Sequence, residues 1–168
     1  MNNQLLQARN RFLQCWGEMG SCWGINKTMA QVHALLMVSD GPLHTDDIMK
    51  ELQISRGNAN MNLRSLVDWG LVRRTIQKGD RREYFQSEKD VWKMFCTISR
   101  ERKKREIEPV IGALEECLEL AGKEKDGAAF RKQLESLLEF VRTADFLMGK
   151  LSQRERSHIL PLLVKLLK

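Results

Sequence analysis

The sequence predicts a mainly α fold interrupted by one β-hairpin, and three observations predict it. Apolar residues recur at three- and four-residue spacing along most of the 168 positions, the period of a helix with one buried face. Two β-prone runs flank a polar, glycine-containing turn from Gln77 to Arg82, which is a hairpin signal. Only 3 Pro and 11 Gly interrupt the chain, 42% of it is hydrophobic, and 30% is charged in both signs, a composition that folds rather than one that stays disordered or forms a fibrous repeat. Such a length makes one domain, or one domain with helical extensions.

The first helix is read from Leu5, Ala8, Phe12, Cys15, Trp16 and Met19, and is expected to end near Gly17 to Gly20. Asn26 caps a second helix whose apolar side is Met29, Val32, His33, Leu36 and Met37, and Asp40-Gly41-Pro42 stops it. Thr45 with Asp46 and Asp47 signals a short third helix from about Asp46 to Leu52. Ser55 then caps a fourth, Arg56 to Trp69, with Ala59, Leu63, Leu66 and Val67 as its core stripe and Gly70 just beyond its end. Two short helices joined by a tight turn, the second with a clear core stripe, read as a helix-turn-helix.

The runs from Leu71 to Ile76 and from Glu83 to Ser87 supply the two strands of the hairpin. Together these elements predict a winged helix-turn-helix with a two-stranded β wing. From Glu88 onward the chain reads as helical, with Val91, Met94, Phe95 and Ile98 on one face and a basic run from Arg100 to Arg105 that reads as a solvated surface. Pro109 is expected to kink or break that helix. Helices are expected over about Val110 to Ala121, Ala128 to Met148 and Ser152 to Leu167, the last opened by a Ser152/Glu155 capping box. Its wide apolar surface, and apolar helices at both ends of a small wing domain, predict dimerisation helices flanking the wing domain. The expected organisation is therefore 1–24 as an N-terminal helix of the dimerisation region, 25–90 as the winged helix-turn-helix domain, and 91–168 as the C-terminal helical dimerisation region.

Charge points to the ligand. Residues 53–82 hold seven basic and two acidic side chains, whereas the other 138 hold 21 basic and 20 acidic, so nearly all of the net charge of +6 is concentrated in 30 residues. A patch of that kind attracts a polyanion, because neutralised phosphates release condensed counterions. On the fourth helix the side opposite the core stripe is read as Gly57, Asn58, Met61, Asn62, Arg64 and Ser65; Asn pairs bidentately with adenine and Arg with guanine in the major groove. Arg56, Arg73, Arg74 and Lys78 are assigned to phosphates, with Ser55 at the start of the reading helix. The basic wing tip, Lys78, Arg81 and Arg82, suits a narrow minor groove, and Asp80 is placed to orient one of its arginines.

These residues resemble the MarR-type winged-helix regulators, in particular their GbsR branch. The resemblance runs from about Trp16 to Pro109 and rests on WGINKTMAQVHALLMVSDGPL, ISRGNANMNLRSLVDWGLVRR, GDRREYFQSEKDVWKMF and RERKKREIEP; beyond Pro109 only length and helical character match. It implies a homodimer that binds double-stranded DNA at a specific sequence, usually as a repressor released by a small effector. It also implies that Asp80 and Arg82 are the ion-paired wing residues, with Arg82 as the minor-groove contact. Met61 stands where many of the broader family carry arginine.

Some proteins of that branch are thought to sense choline, and a quaternary ammonium suits an aromatic cage; Trp16, Trp23, Trp69, Tyr84 and Trp92 are the walls on offer. The four cysteines, Cys15, Cys22, Cys96 and Cys117, lack zinc-site spacing and read as buried free thiols. A thiol-switched regulator using Cys15 or Cys22 is the second reading, and a winged-helix protein-interaction module without DNA binding is the third. His33 reads as a hydrogen-bonded structural histidine, and capping accounts for Asp46 and Asp47 beside His44. With no H-E-x-x-H, no G-x-S-x-G and no phosphate-cradling glycine loop, the sequence predicts no enzyme, no cofactor and no metal. Arg9 and Arg11 occupy the place of a signal peptide's apolar region, and no apolar run reaches the roughly 18 residues of a membrane span, so a cytoplasmic protein without membrane contact is expected.

Overall fold

Helix α2 (Lys27–Val38) is the piece around which the N-terminal part of the chain is built. Met29, Ala30, Val32, His33, Ala34, Leu35 and Leu36 are all buried, and a helix with so wide an apolar surface belongs in a core. Asn26 caps it, its side-chain oxygen accepting from the Met29 amide at 3.1 Å. The computed structural model describes residues 2–122 and 127–153, in two compact units that divide between Met94 and Phe95.

Helix α1 (Asn3–Cys22) lies on α2 along Leu13, Gly17 and Gly20. The expected stop at Gly17 to Gly20 does not occur. Both glycines are inside the helix because α2 approaches too closely for side chains: a Cβ at Gly20 would stand 2.6 Å from the Ala30 Cβ, and one at Gly17 2.7 Å from the Gln31 Cγ. The helix ends one turn later, where Gly24 adopts φ 74° and the Ile25 amide reaches back to the Gly20 carbonyl at 2.8 Å. Because α1 buries only this narrow stripe, Cys15 and Cys22 are exposed, as is Cys117 in the second unit; only Cys96 is the buried thiol expected of all four.

After α2 come strand β1 (Leu43–His44), helix α3 (Thr45–Leu52), helix α4 (Arg56–Asp68) and strands β2 (Val72–Ile76) and β3 (Glu83–Ser87). The sheet has three strands, in the order β1-β3-β2, all antiparallel, with Leu43 and Arg74 opposite Phe85 on either side. The expected two-stranded wing thus gains β1, which at two residues is too short to show the alternation that marks a strand. Gly70, at φ 70°, closes α4, with the Leu71 amide on the Leu66 carbonyl at 3.0 Å and the Gly70 amide on Val67 at 2.9 Å. Just past β3, the Lys89 ammonium donates to the carbonyls of Leu36 (3.1 Å), Met37 (2.7 Å) and Ser39 (2.6 Å), closing the C-terminus of α2.

Helix α5 (Val91–Arg102) begins in the first unit and ends in the second, followed by a π-helical turn (Lys103–Ile107), α6 (Glu108–Leu120) and α7 (Ala128–Gln153). Pro109 does not break the path. The Glu108 amide bonds five residues back, to the Lys103 carbonyl, and Pro109 then sits in the first turn of α6, where its missing N–H costs nothing. In the basic run, Arg102 pairs with Glu106 (2.9 Å), Arg105 with Glu101 (3.2 Å), and Lys103 with both Glu108 (2.9 Å) and Asp145 (3.0 Å). Leu114 and Leu138 are buried between α6 and α7, and Arg142 reaches Glu115 at 2.6 Å. The break expected before Ser152 is absent: α7 continues to Gln153, and the Ser152 hydroxyl bonds back to Met148 (2.9 Å) and Gly149 (3.1 Å) instead of capping a new helix. The expected last helix and Glu155 lie outside the described residues. No helix among the described residues is long and apolar enough to cross a membrane.

Two outcomes follow from α2. Alanine normally stabilises a helix by about 1 kcal/mol over glycine, but Gly20→Ala forces a methyl into Ala30 and overpacking costs about 1–3 kcal/mol, so urea unfolding should show a net loss. His33 is buried against Trp16, ring centroids 6.4 Å apart, and its Nε2 has no hydrogen-bond partner, unlike the hydrogen-bonded histidine expected. Burial lowers its pKa from 6.5 to about 4. The unfolded chain accepts a proton that the folded chain refuses, so the stability contributed by neutral His33 is full above 6.5 and declines as pH falls toward 4. Relative to His33→Leu, the native protein should lose about 3 kcal/mol across that interval; an unchanged difference in unfolding free energy would refute the assignment.

Candidate nucleic-acid interface

The helix-turn-helix is built from local hydrogen bonds. His44 caps α3, its Nδ1 accepting from the Asp46 amide at 3.2 Å while its own amide donates to Asp47 at 3.0 Å. Gln53 makes the turn in the left-handed conformation, φ 52°, and the Ser55 hydroxyl accepts from the Asn58 amide at 3.3 Å to start α4. Asp46 of α3 pairs with Arg56 of α4, so the guanidinium assigned to phosphate contact is held at the entrance of α4.

Along α4 the buried residues are Ala59, Asn62, Leu63 and Leu66. Asn62 therefore corrects the expected reading face. It is 2% exposed, and its Nδ2 donates to the Asn58 carbonyl (2.8 Å) and the Asn58 Oδ1 (2.6 Å); at i+3 from Ala59 and i−4 from Leu66 it shares their stripe. The outward face consists of Arg56, Gly57, Asn60, Met61 and Arg64, with Asp68 at its C-terminal end and Asn58 and Ser65 half-buried beside it. Met61 is 56% exposed. Asn60 was not among the sequence candidates, although its spacing from Gly57 and Arg64 would have found it.

The wing carries the tightest polar cluster of the first unit. Gly79, at φ 87°, turns the tip. The Asp80 carboxylate accepts from the Arg82 amide (2.9 Å), from Arg82 Nε (2.8 Å), from Arg82 Nη2 (2.6 Å) and from the Tyr84 hydroxyl (2.8 Å). Arg82 Nη2 also donates to the Tyr84 hydroxyl at 2.9 Å. Its side chain remains 58% exposed, with Nη1 uncommitted by these bonds. The Arg82 hydrogen bonds hold Asp80 far below the usual carboxylate range, and the same pair raises Arg82. Lys78, Arg81 and Arg64 make no ion pair among the described residues, whereas Arg74 lies 3.6 Å from Glu83 and Arg73 donates to Gln86 at 3.1 Å.

Two of the five aromatic residues have distinct surroundings. Trp16 meets Phe12 and His33 between α1 and α2, while Tyr84 faces His44 and Arg82 in the wing; Trp23 is exposed at the end of α1 and Trp69 and Trp92 are half-buried. A groove of about 820 Å³ in the first unit is lined by none of the five, but by residues such as Leu5, Phe12, Val38, Pro42 and Leu43.

Tyr84 is the single tyrosine, so its ionisation can be read directly by ultraviolet titration. Its hydroxyl proton is donated to Asp80 and must be given up beside that negative charge, which raises its pKa. The phenol should titrate above the ordinary value of about 10, and Asp80→Ala should bring it back; identical curves would contradict the wing geometry.

The model of the MarR family matches residues 23–83, from the end of α1 to the start of β3. The HTH-type transcriptional repressor GbsR of Bacillus subtilis (strain 168) is 26% identical over 111 residues, 66% of this chain and 61% of that protein, so the match spans about three fifths of the relative's length. A crystal structure described as that of a transcriptional regulator superposes with a TM-score of 0.59 at 21% identity, covering 88% of this chain and 99% of the other; at that identity it shows the fold. The matched region contains the helix-turn-helix, strand β2 and the wing tip, so over residues 23–83 the chain is similar to the MarR-type transcriptional regulators, and over a longer stretch to the GbsR repressor.

Proposed function

We propose that the protein is a homodimeric, sequence-specific DNA-binding repressor that reads a pseudo-palindromic operator, with residues 55–69 in the major groove and wing residues 77–82 in the minor groove. The observation that carries this reading is the Asp80-held Arg82 at a hairpin tip beside Lys78 and Arg81, which make no ion pair among the described residues. A pre-oriented guanidinium with a free edge suits the negative potential of a narrow minor groove. Arg56, Arg73, Arg74 and Lys78 hold phosphates, with Ser55, Gly57 and Arg81 alongside. Asn58, Met61, Arg64 and Ser65 read bases, joined by Asn60, while Asn62 buttresses Asn58 from inside. Repression is the sign favoured by the relative's own description as a repressor, and release by a small effector follows the family resemblance.

Residues 1–24 and 91–168 form the dimerisation region in this reading. It is supported by α7, which leaves Phe130, Phe140 and Phe146 more than half exposed, more apolar surface than a lone helix pair keeps in water. A two-fold dimer presents two reading helices to two half-sites.

The test is binding to a duplex enriched by the native protein from a random-sequence pool, titrated against salt with a scrambled duplex as control. Preference for the enriched duplex, with affinity falling steeply as salt rises, is expected; absence of binding at low salt would leave a protein-interaction module. Arg82→Ala should weaken binding without unfolding the protein. Asn58→Ala should relax sequence preference at a discrimination cost of about 1–3 kcal/mol, and an equal loss on every duplex would remove Asn58 from the readers. A thiol-switched regulator is the second reading, favoured by the exposure of Cys15 and Cys22 on α1; rapid alkylation together with loss of DNA binding on mild oxidation would support it.

A further inference from the structure

We propose that Tyr84 and His44 are positioning residues that join the wing to the start of the reading helix, so that Arg82 and Arg56 meet a duplex as one coupled unit. This rests on the DNA-binding reading above and goes beyond it, since neither residue is assigned a contact with DNA.

The connection can be followed atom by atom. Arg82 Nη2 donates to the Tyr84 hydroxyl at 2.9 Å, and that hydroxyl donates to Asp80 at 2.8 Å. Tyr84 stands opposite His44 across the β1–β3 ladder, with the two ring centroids 5.8 Å apart and the rings tilted by 58°, within the distance range of interacting aromatic pairs. His44 Nδ1 accepts from the Asp46 amide at 3.2 Å and lies 3.3 Å from the Asp46 carboxylate. Asp46 then pairs with Arg56 at the first position of α4. Tyr84 is 8% exposed and the His44 side chain 14%, so both act from inside the domain while the two arginines face solvent.

A two-stranded hairpin tip alone is marginally stable in water, and ordering it against DNA costs conformational entropy. The Tyr84–His44 contact joins that tip to the cap of α3 before any ligand arrives. One arginine's engagement therefore fixes the place of the other, and the energies of the two contacts do not add.

The measurement is a double-mutant cycle. Affinity for the enriched duplex at matched salt is determined for Arg56→Ala, Arg82→Ala and the double variant, in the native background and in Tyr84→Phe and His44→Asn backgrounds. Tyr84→Phe keeps the ring and loses the hydroxyl; His44→Asn keeps a capping side chain and loses the ring. In the native background the double variant should depart from the product of the single effects by about threefold or more, and in both altered backgrounds that factor should fall to about one. Additive native effects, or a factor that survives both backgrounds, would overturn the proposal while leaving DNA binding intact. If neither arginine alters affinity, the DNA-binding reading itself falls and this inference falls with it. Should one background fail to fold in a thermal melt, the other decides.

Discussion

The burial of α2 over most of its circumference is the constraint on which the first unit depends. Seven of its twelve residues are buried, so α1, α4 and β3 all take their places against it. The approach of α1 is the most demanding, because two glycines replace side chains where the helices touch. The helix-turn-helix and wing are consequently carried on a scaffold whose geometry is set by backbone proximity rather than by adjustable side chains. A reading surface needs this stiffness, since side chains must meet base edges within hydrogen-bond tolerance.

Electrostatics divides the basic residues into two kinds. Arg56 and Arg82 are held by carboxylates within the fold, and their direction is fixed in advance. Arg64, Lys78 and Arg81 are unpaired among the described residues and carry the excess charge outward. The first kind gives orientation and the second long-range attraction, which are separable contributions to association with a polyanion. The run from Arg100 to Arg105 is basic in composition but largely neutralised by its own glutamates and by Asp145, so composition alone overstates its charge.

Most of the winged fold was legible because its signals are local. Caps at Asn26 and Ser55, the Gly70 stop and the hairpin turn are each encoded within a few residues, and each lies where the sequence places it. What was not legible depends on partners distant in sequence. Gly17 and Gly20 look like stops until Ala30 and Gln31 are seen beside them. Strand β1 exists only because β3 is there to pair with it. Pro109 looks like a break until the preceding turn widens to accept it. Asn62 was misplaced for another reason: its amide suggested a base reader, although its spacing from Ala59 and Leu66 marks the core. The side-chain chain from Arg82 to Arg56 had no sequence signal, since Tyr84 and His44 meet only across the sheet.

The ammonium-to-carbonyl tie made by Lys89 determines where this chain can be cut. It lies two residues beyond β3, outside any boundary drawn at the end of the wing, yet it closes the C-terminus of a helix fifty residues earlier. A fragment ending at Ser87 would keep every strand and every reading residue but leave the Leu36, Met37 and Ser39 carbonyls without that donor. The smallest self-sufficient piece therefore extends into α5, through the buried Met94.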